Sequence, residues 1–308
     1  MADDAFDDDL DEDSMDAGSL NEFAYALNPS HYIRFQRRGP ALFVSFETER
    51  GEDKLADRMS RFDDLAEDMD WSTLTLVSRG DTWFRAPEVI NFFDALVDGT
   101  LLDQFETVLF YGQGSGGHAA LAFALTAPGA RVMALAPQVG LGADAPDDPR
   151  FPDAGEIDFT SRYPVSAESL AAATSVLLLS DPNQPQDRAH ARAITGGDLR
   201  RLSCRNMGSD IESGLTELGL LEEMVVRAME GELDATGFYA ALRVRRDDPA
   251  WLRRLIGRLI EQKRPLLEAL AVRNVAQRTG RHRFTKRFEQ IEADLKQQGI
   301  AIPASRSA

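Results

Sequence analysis

The sequence predicts an α/β protein: a doubly wound, mostly parallel sheet of about six strands followed by an all-helical C-terminal extension. Three observations carry that prediction. Between Ala41 and Cys204, short apolar or β-branched runs alternate with helical stretches, as in a parallel sheet covered on both faces. A glycine run at 112–117 falls where one apolar run gives way to a helix. After Cys204 only helical periodicity remains, with apolar residues three and four apart.

The strands are expected at 41–46, 73–78, 107–111, 131–136, 176–180 and 199–204, with helices near 53–67, 87–97, 116–125, 167–173 and 187–194. Pro87 suits the first turn of its helix, and Gly99 the position just past its end. The stretch 140–163, rich in Pro, Asp and Gly, reads as a long loop over the carboxyl edge of the sheet, where doubly wound folds bind ligands. Further on, helices are expected at 211–218, 220–229, 236–244, 250–261, 266–277 and 285–298, with Pro249 and Pro265 breaking the array into separate helices. Trp251, Leu252, Leu255, Ile256 and Leu259 form one stripe, to be docked against the α/β core or a second copy. Three regions follow: an acidic disordered tail over 1–30, the α/β domain over 31–230 and a basic helical extension over 231–308.

Composition narrows the function. The 308 residues include one cysteine, Cys204, which excludes an intramolecular disulfide framework and a Cys-rich zinc site. The four histidines, His31, His118, His190 and His282, show no H-x-x-x-H spacing, so neither a metal nor another cofactor is expected. No window has the roughly 18 unbroken apolar residues of a membrane span, and the acidic start is neither signal nor transit peptide. A cytoplasmic protein is the expectation. Net charge is −17 but uneven: residues 1–33 hold ten acidic and no Lys or Arg side chains, whereas 243–308 hold sixteen basic and seven acidic ones. The acidic block reads as a solvated tail, or as an arm that binds a partner or shields the basic helices. The acidic remainder of the chain argues against nucleic acid as the partner of those helices.

Three chemistries fit the glycine run. As a nucleophile elbow, G-x-Nu-x-G, it needs small residues two before and two after a strained tip; Gly112 and Gly116 supply them and leave Gly114, without a side chain, at the tip. A shift of one makes Ser115 the nucleophile and puts Gln113 in the crowded position. Read as G-x-G-x-x-G (Gly112, Gly114, Gly117), it resembles a dinucleotide fingerprint, but the next strand ends Leu135-Ala136-Pro137-Gln138, without the acid that would hold a ribose. In the elbow register, Asp181 at the end of its strand suits the acid of a triad, while the loop 205–210 offers no histidine as base. His118 reads as a packing residue, His190 as a partner of Asp187 one turn away, and Ser115 as a helix-opening residue bonded to backbone.

From Phe110 to Leu121 the chain resembles α/β-hydrolase-like proteins, above all a branch near bacterial polysaccharide biosynthesis whose elbow reads roughly F-G-x-S-M-G-G-Y-A-A-L. Gly116, Gly117, Ala119, Ala120 and Leu121 match, and Gly114 stands at the serine. Val132 to Gln138 is similar to that branch's strand ending S-P-Q, and Asp181-Pro182, Asp187 and His190-Ala191 to its D-P…D…H-A segment. The whole chain also resembles alphaproteobacterial proteins often labelled phosphoadenosine phosphosulfate reductase. That label implies an activated, exposed cysteine, whereas Cys204 closes an expected strand.

These readings combine into a catalytically degenerate α/β-hydrolase-like binding or accessory protein, with polysaccharide or cell-surface biosynthesis as the setting the resemblance implies. Its ligand, a small molecule or saccharide, is expected to meet Phe46, Glu47, Thr48, Gly112, Gly114, Ser115, Gly116 and Gln138, with Asp181 near and Trp83 and Phe84 either as an aromatic wall or as edge packing. Two alternatives stand beside it: a serine esterase using Ser115 and Asp181, and a scaffold or homo-oligomer formed through 250–278.

Overall fold

The computed structural model describes residues 21–49, 60–142 and 145–304. The acidic run 3–16 and the first half of the helix expected at 53–67 lie outside them. Eight strands, β1 (Glu22–Asn28), β2 (His31–Gln36), β3 (Ala41–Glu49), β4 (Ser72–Arg79), β5 (Thr107–Gln113), β6 (Arg131–Leu135), β7 (Ser175–Ser180) and β8 (Leu199–Ser203), form one sheet in the order β1-β2-β4-β3-β5-β6-β7-β8. Strand β2 is antiparallel to both neighbours, and every other pairing is parallel.

The last six strands are the expected ones. The hairpin β1–β2 is a correction, because its first strand falls within the expected tail 1–30. Its pattern is half-buried alternation: Phe23, Tyr25 and Leu27 pack against the core, and Ile33 and Phe35 are fully buried. Asn28 Oδ1 accepts the Ser30 amide at 2.9 Å and sets the tight turn between the strands.

Eleven helices are described: α1 (Asp63–Asp68), α2 (Pro87–Asp98), α3 (Ser115–Phe123), α4 (Ala167–Ala171), α5 (Pro185–Ala193), α6 (Ile211–Glu217), α7 (Leu221–Glu230), α8 (Ala235–Ala241), α9 (Pro249–Glu261), α10 (Pro265–Thr279) and α11 (His282–Gln297). Pro87, Pro249 and Pro265 each start a helix, where a missing N–H costs nothing. Strand alternation sorts the core into two layers. Leu42, Val44, Phe46, Phe110, Val132 and Leu178 face α2 to α5. Phe43, Leu109, Tyr111, Met133, Leu135, Leu177 and Leu179 face α1 and α6 to α11.

The basic extension therefore completes the second layer. Trp251, Leu252, Ala269, Val272, Phe284 and Leu295 belong to the same cluster as Leu177 and Leu179. Trp251 Nε1 donates to the Arg205 carbonyl at 2.8 Å, and Arg254 Nε to the Asn206 carbonyl at 2.8 Å. The stripe thus packs on the core of its own chain, one of the two expected placements, and Ile260 and Leu267 are the large apolar side chains of 250–278 left exposed. Among the described residues no helix is long and apolar enough to cross a membrane. The strand order with strand 2 reversed, and the glycine turn from β5 into α3, make this an α/β-hydrolase fold.

Candidate functional site

The sharp turn from β5 into α3 puts Gly114 at its tip, with φ +58° and ψ −117°, a conformation that strains any residue with a Cβ. Its amide donates to the Leu135 carbonyl at 2.8 Å, fixing the tip to β6. Gly112 and Gly116 allow the turn: a Cβ on Gly112 would strike the backbone of Gly116, and one on Gly116 the carbonyl of Phe46, each under 3.0 Å. A Cβ on Gly114 would meet nothing within 4 Å. The elbow register with Gly114 in the nucleophile's place is the one the chain adopts. Gly117 packs beside Pro137 and Leu135, as a third glycine for close helix–strand contact.

The tip opens into a cavity of about 1010 Å³ at the carboxyl ends of the strands. Of the expected ligand residues, Phe46, Glu47, Thr48, Gly114, Ser115 and Gln138 line it, whereas Gly112 and Gly116 lie behind the wall and shape the turn. Arg150 and Phe151 of the long loop 140–163 close one side. Ser115 opens α3 as expected, but its hydroxyl does not bond backbone: it donates to Asp81 Oδ1 at 3.1 Å and lies 3.2 Å from Thr48 Oγ1. Trp83 and Phe84 form no wall. Both are buried with left-handed φ, +49° and +55°; Trp83 stands edge-on to Phe151 and donates from Nε1 to Gln138 Oε1 at 3.1 Å, which fixes that side chain.

Asp181 is buried and does not line the cavity. It accepts the amides of Asn183 (2.9 Å) and Gly208 (3.0 Å), holding the loop after β8 in the role of a loop anchor. None of the four histidines lines the cavity. His118, fully buried, donates from Nδ1 to the Gln138 carbonyl at 3.0 Å, and burial, helped by Arg85, depresses it to about 3. His190 accepts the Val139 amide at Nδ1 (3.3 Å), so its Nε2–H points to Asp148 Oδ2 at 3.2 Å. The expected pairing of His190 with Asp187 is corrected: Asp187 is bound by Arg150 at 2.8 Å. His31 joins Asn28 and Thr82, and His282 begins α11. Cys204 is buried, and burial pushes its thiol up, away from reactivity.

Charged groups that local sequence patterns do not reveal complete the walls. Arg150 grips Asp148 through Nε (2.8 Å) and Nη2 (2.6 Å), reaches Asp187, and donates to Ser209 Oγ at 3.2 Å. One guanidinium thus ties the long loop to α5 and to the loop after β8. Burial raises the Asp148 carboxyl, and its bonds from Arg150 outweigh that, leaving it below its ordinary value. Opposite, Arg61 pairs with Glu212, whose carboxyl is raised by burial and drawn back by that pairing. Gln113 accepts the Glu212 amide (2.7 Å) and donates to Asp210 (2.9 Å), so the residue just before the elbow tip serves the wall. Ser60 Oγ and Ser45 Oγ donate to Glu47 Oε1 at 2.5 and 3.3 Å. Among the described residues no group of three metal-ligating side chains could hold an ion.

No known family profile matches the chain, and no curated protein matches it. Solved structures do. The capsule O-acetyltransferase of Neisseria meningitidis serogroup A is 11% identical, over 65% of this chain and 93% of its own, with a TM-score of 0.41. A poly(3-hydroxybutyrate) depolymerase from Bordetella parapertussis is 13% identical over 74% and 96%, with a TM-score of 0.42. Carboxyl esterase 2 from Tuber melanosporum is 11% identical over 74% and 89%, with a TM-score of 0.44.

Proposed function

We propose that this chain is a catalytically degenerate α/β-hydrolase-like protein that binds a small polar molecule in the elbow cavity and serves as an accessory component. The observation that carries the reading is Gly114 in the nucleophile's position. Acyl transfer by this fold needs a side-chain nucleophile, a histidine to take its proton and an acid to orient that histidine. Here the tip has no side chain, none of the four histidines lines the cavity, and Asp181 is occupied by two amides. The motif resemblance around Gly116 to Leu121 suggests polysaccharide or cell-surface biosynthesis as the setting, on the cytoplasmic side.

A second reading draws on one contact, the hydrogen bond from Ser115 Oγ to Asp81. A carboxylate that accepts from a serine is a candidate base, though a weak one beside an imidazole at neutral pH. One experiment separates the two. Wild type, Ser115→Ala and Asp81→Asn are assayed with p-nitrophenyl acetate and butyrate. The binding reading expects all three at the buffer rate; turnover that disappears in both variants replaces it with the esterase.

A further inference from the structure

The cavity has an unbalanced charge. Six carboxylates line it, those of Glu47, Glu49, Asp81, Asp187, Asp210 and Glu212, against two guanidiniums, Arg61 and Arg150. Both guanidiniums are already committed, Arg61 to Glu212 and Arg150 to Asp187 and Asp148. Most of the acids have donors as well: Glu47 accepts from Ser60 and Ser45, Asp81 from Ser115, and Asp210 from Gln113 and the Ser213 amide. Glu49 is different. It is 5% exposed, it lines the cavity, and neither of its carboxylate oxygens has a hydrogen-bond partner among the described residues.

A buried carboxylate without a partner is among the costliest groups a folded chain can carry, and such a group persists where something else satisfies it. We propose that the cavity takes an organic cation, a hydroxyl-bearing molecule whose ammonium group sits against Glu49. The proposal rests on the binding reading above and gives its ligand a chemical class. The volume, about 1010 Å³, is far beyond the needs of a bare ion and suits an organic molecule. Thr48, Ser115, Gln138, Ser209 and Ser213 surround that space with groups that can exchange hydrogen bonds with hydroxyls. Glu49 and Glu47 are two apart on β3 and so leave the strand on the same side. The network from Ser45 and Ser60 holds Glu47 in place, leaving Glu49 to meet the incoming charge.

The test uses the full chain, with glucosamine as a hydroxylated ammonium probe and N-acetylglucosamine as its neutral counterpart, followed by calorimetric titration and thermal unfolding of wild type and Glu49→Gln. Three results are expected together. Without probe, Glu49→Gln unfolds at a higher temperature than wild type, because it removes an unpaired buried charge. Glucosamine binds wild type at least about tenfold more tightly than N-acetylglucosamine does, and loses about tenfold or more in Glu49→Gln. Equal binding of the two sugars overturns the cation assignment and leaves the binding reading standing. A lower unfolding temperature for Glu49→Gln without probe makes Glu49 a structural group and overturns it too. So does saturable binding of magnesium alone that displaces glucosamine, or no binding of either sugar. Failure of the binding reading itself has another signature, ester turnover abolished by Ser115→Ala.

Discussion

Gly116 lies under the carbonyl oxygen of Phe46, so close that no side chain fits between them. The first turn of α3 therefore rides directly on the end of β3, the strand that bears Glu47 and Glu49. Gly116→Ala must push one backbone against another. It should cost at least about 2–3 kcal/mol or prevent folding, read as a lower urea midpoint. Gly257→Ala, in α9 where a Cβ meets nothing within 4 Å, is the control and should gain about 0.5–1 kcal/mol.

Gly114→Ser restores the missing hydroxyl at a place with room for it. Room is not the only requirement, since the φ of +58° remains strained for serine and no imidazole lines the cavity. The variant should lose about 1–3 kcal/mol of stability and show no more ester hydrolysis than wild type. Burst release of p-nitrophenol from Gly114→Ser would show that a base is within reach after all.

Arg150→Ala removes the guanidinium shared by Asp148 and Asp187, both buried. Leaving buried carboxylates without their partner typically costs about 3–5 kcal/mol; the guanidinium is part-exposed, so the lower end is expected here. The loop 140–163 should become the first site of limited proteolysis, and Arg150→Lys, a point charge without the planar fork, should recover only part of the loss.

Acid should destabilise the fold through its histidines. His118 is depressed to about 3 in the folded chain against an ordinary 6.5, so the unfolded chain binds the extra proton between those values. Stability contributed by neutral His118 is complete above about pH 6.5 and is lost as pH falls towards 3, at up to about 1.4 kcal/mol per pH unit. His31, lowered to about 4, and His190 act in the same direction, whereas Glu212, raised by burial, opposes them in its own range. Urea titrations from pH 4 to 8 should give rising stability up to about pH 6.5, with a shallower slope in His118→Gln.

The six parallel strands were legible because strands buried on both faces read as unbroken apolar runs, and their carboxyl ends locate Phe46, Glu47 and Gln138 at the cavity without further information. The hairpin β1–β2 was hidden by its setting: Phe23, Tyr25 and Leu27 alternate clearly, but they follow an acidic run that reads as solvated tail. Within the site, glycine spacing identified the elbow because the constraint is local, one backbone turn. Arg61 and Arg150 left no such trace. Their partners arrive from other loops through tertiary packing, and a charge in a polar loop has the same composition whether it is solvated or walls a cavity. Asp187 shows the limit plainly, since helical spacing pairs it with His190 and the fold pairs it with Arg150.

The outermost strands of the sheet have a further consequence. At one margin, β8 exposes Arg200 and Arg201, with Tyr239 reaching in to take the Ser203 amide. At the other, β1 begins at Glu22, just after the acidic run of the sequence. A second sheet laid edge to edge against either margin of its own kind would bring like charges together. Pairing of like edges is thus opposed by charge at both margins, without the sheet having to close into a barrel.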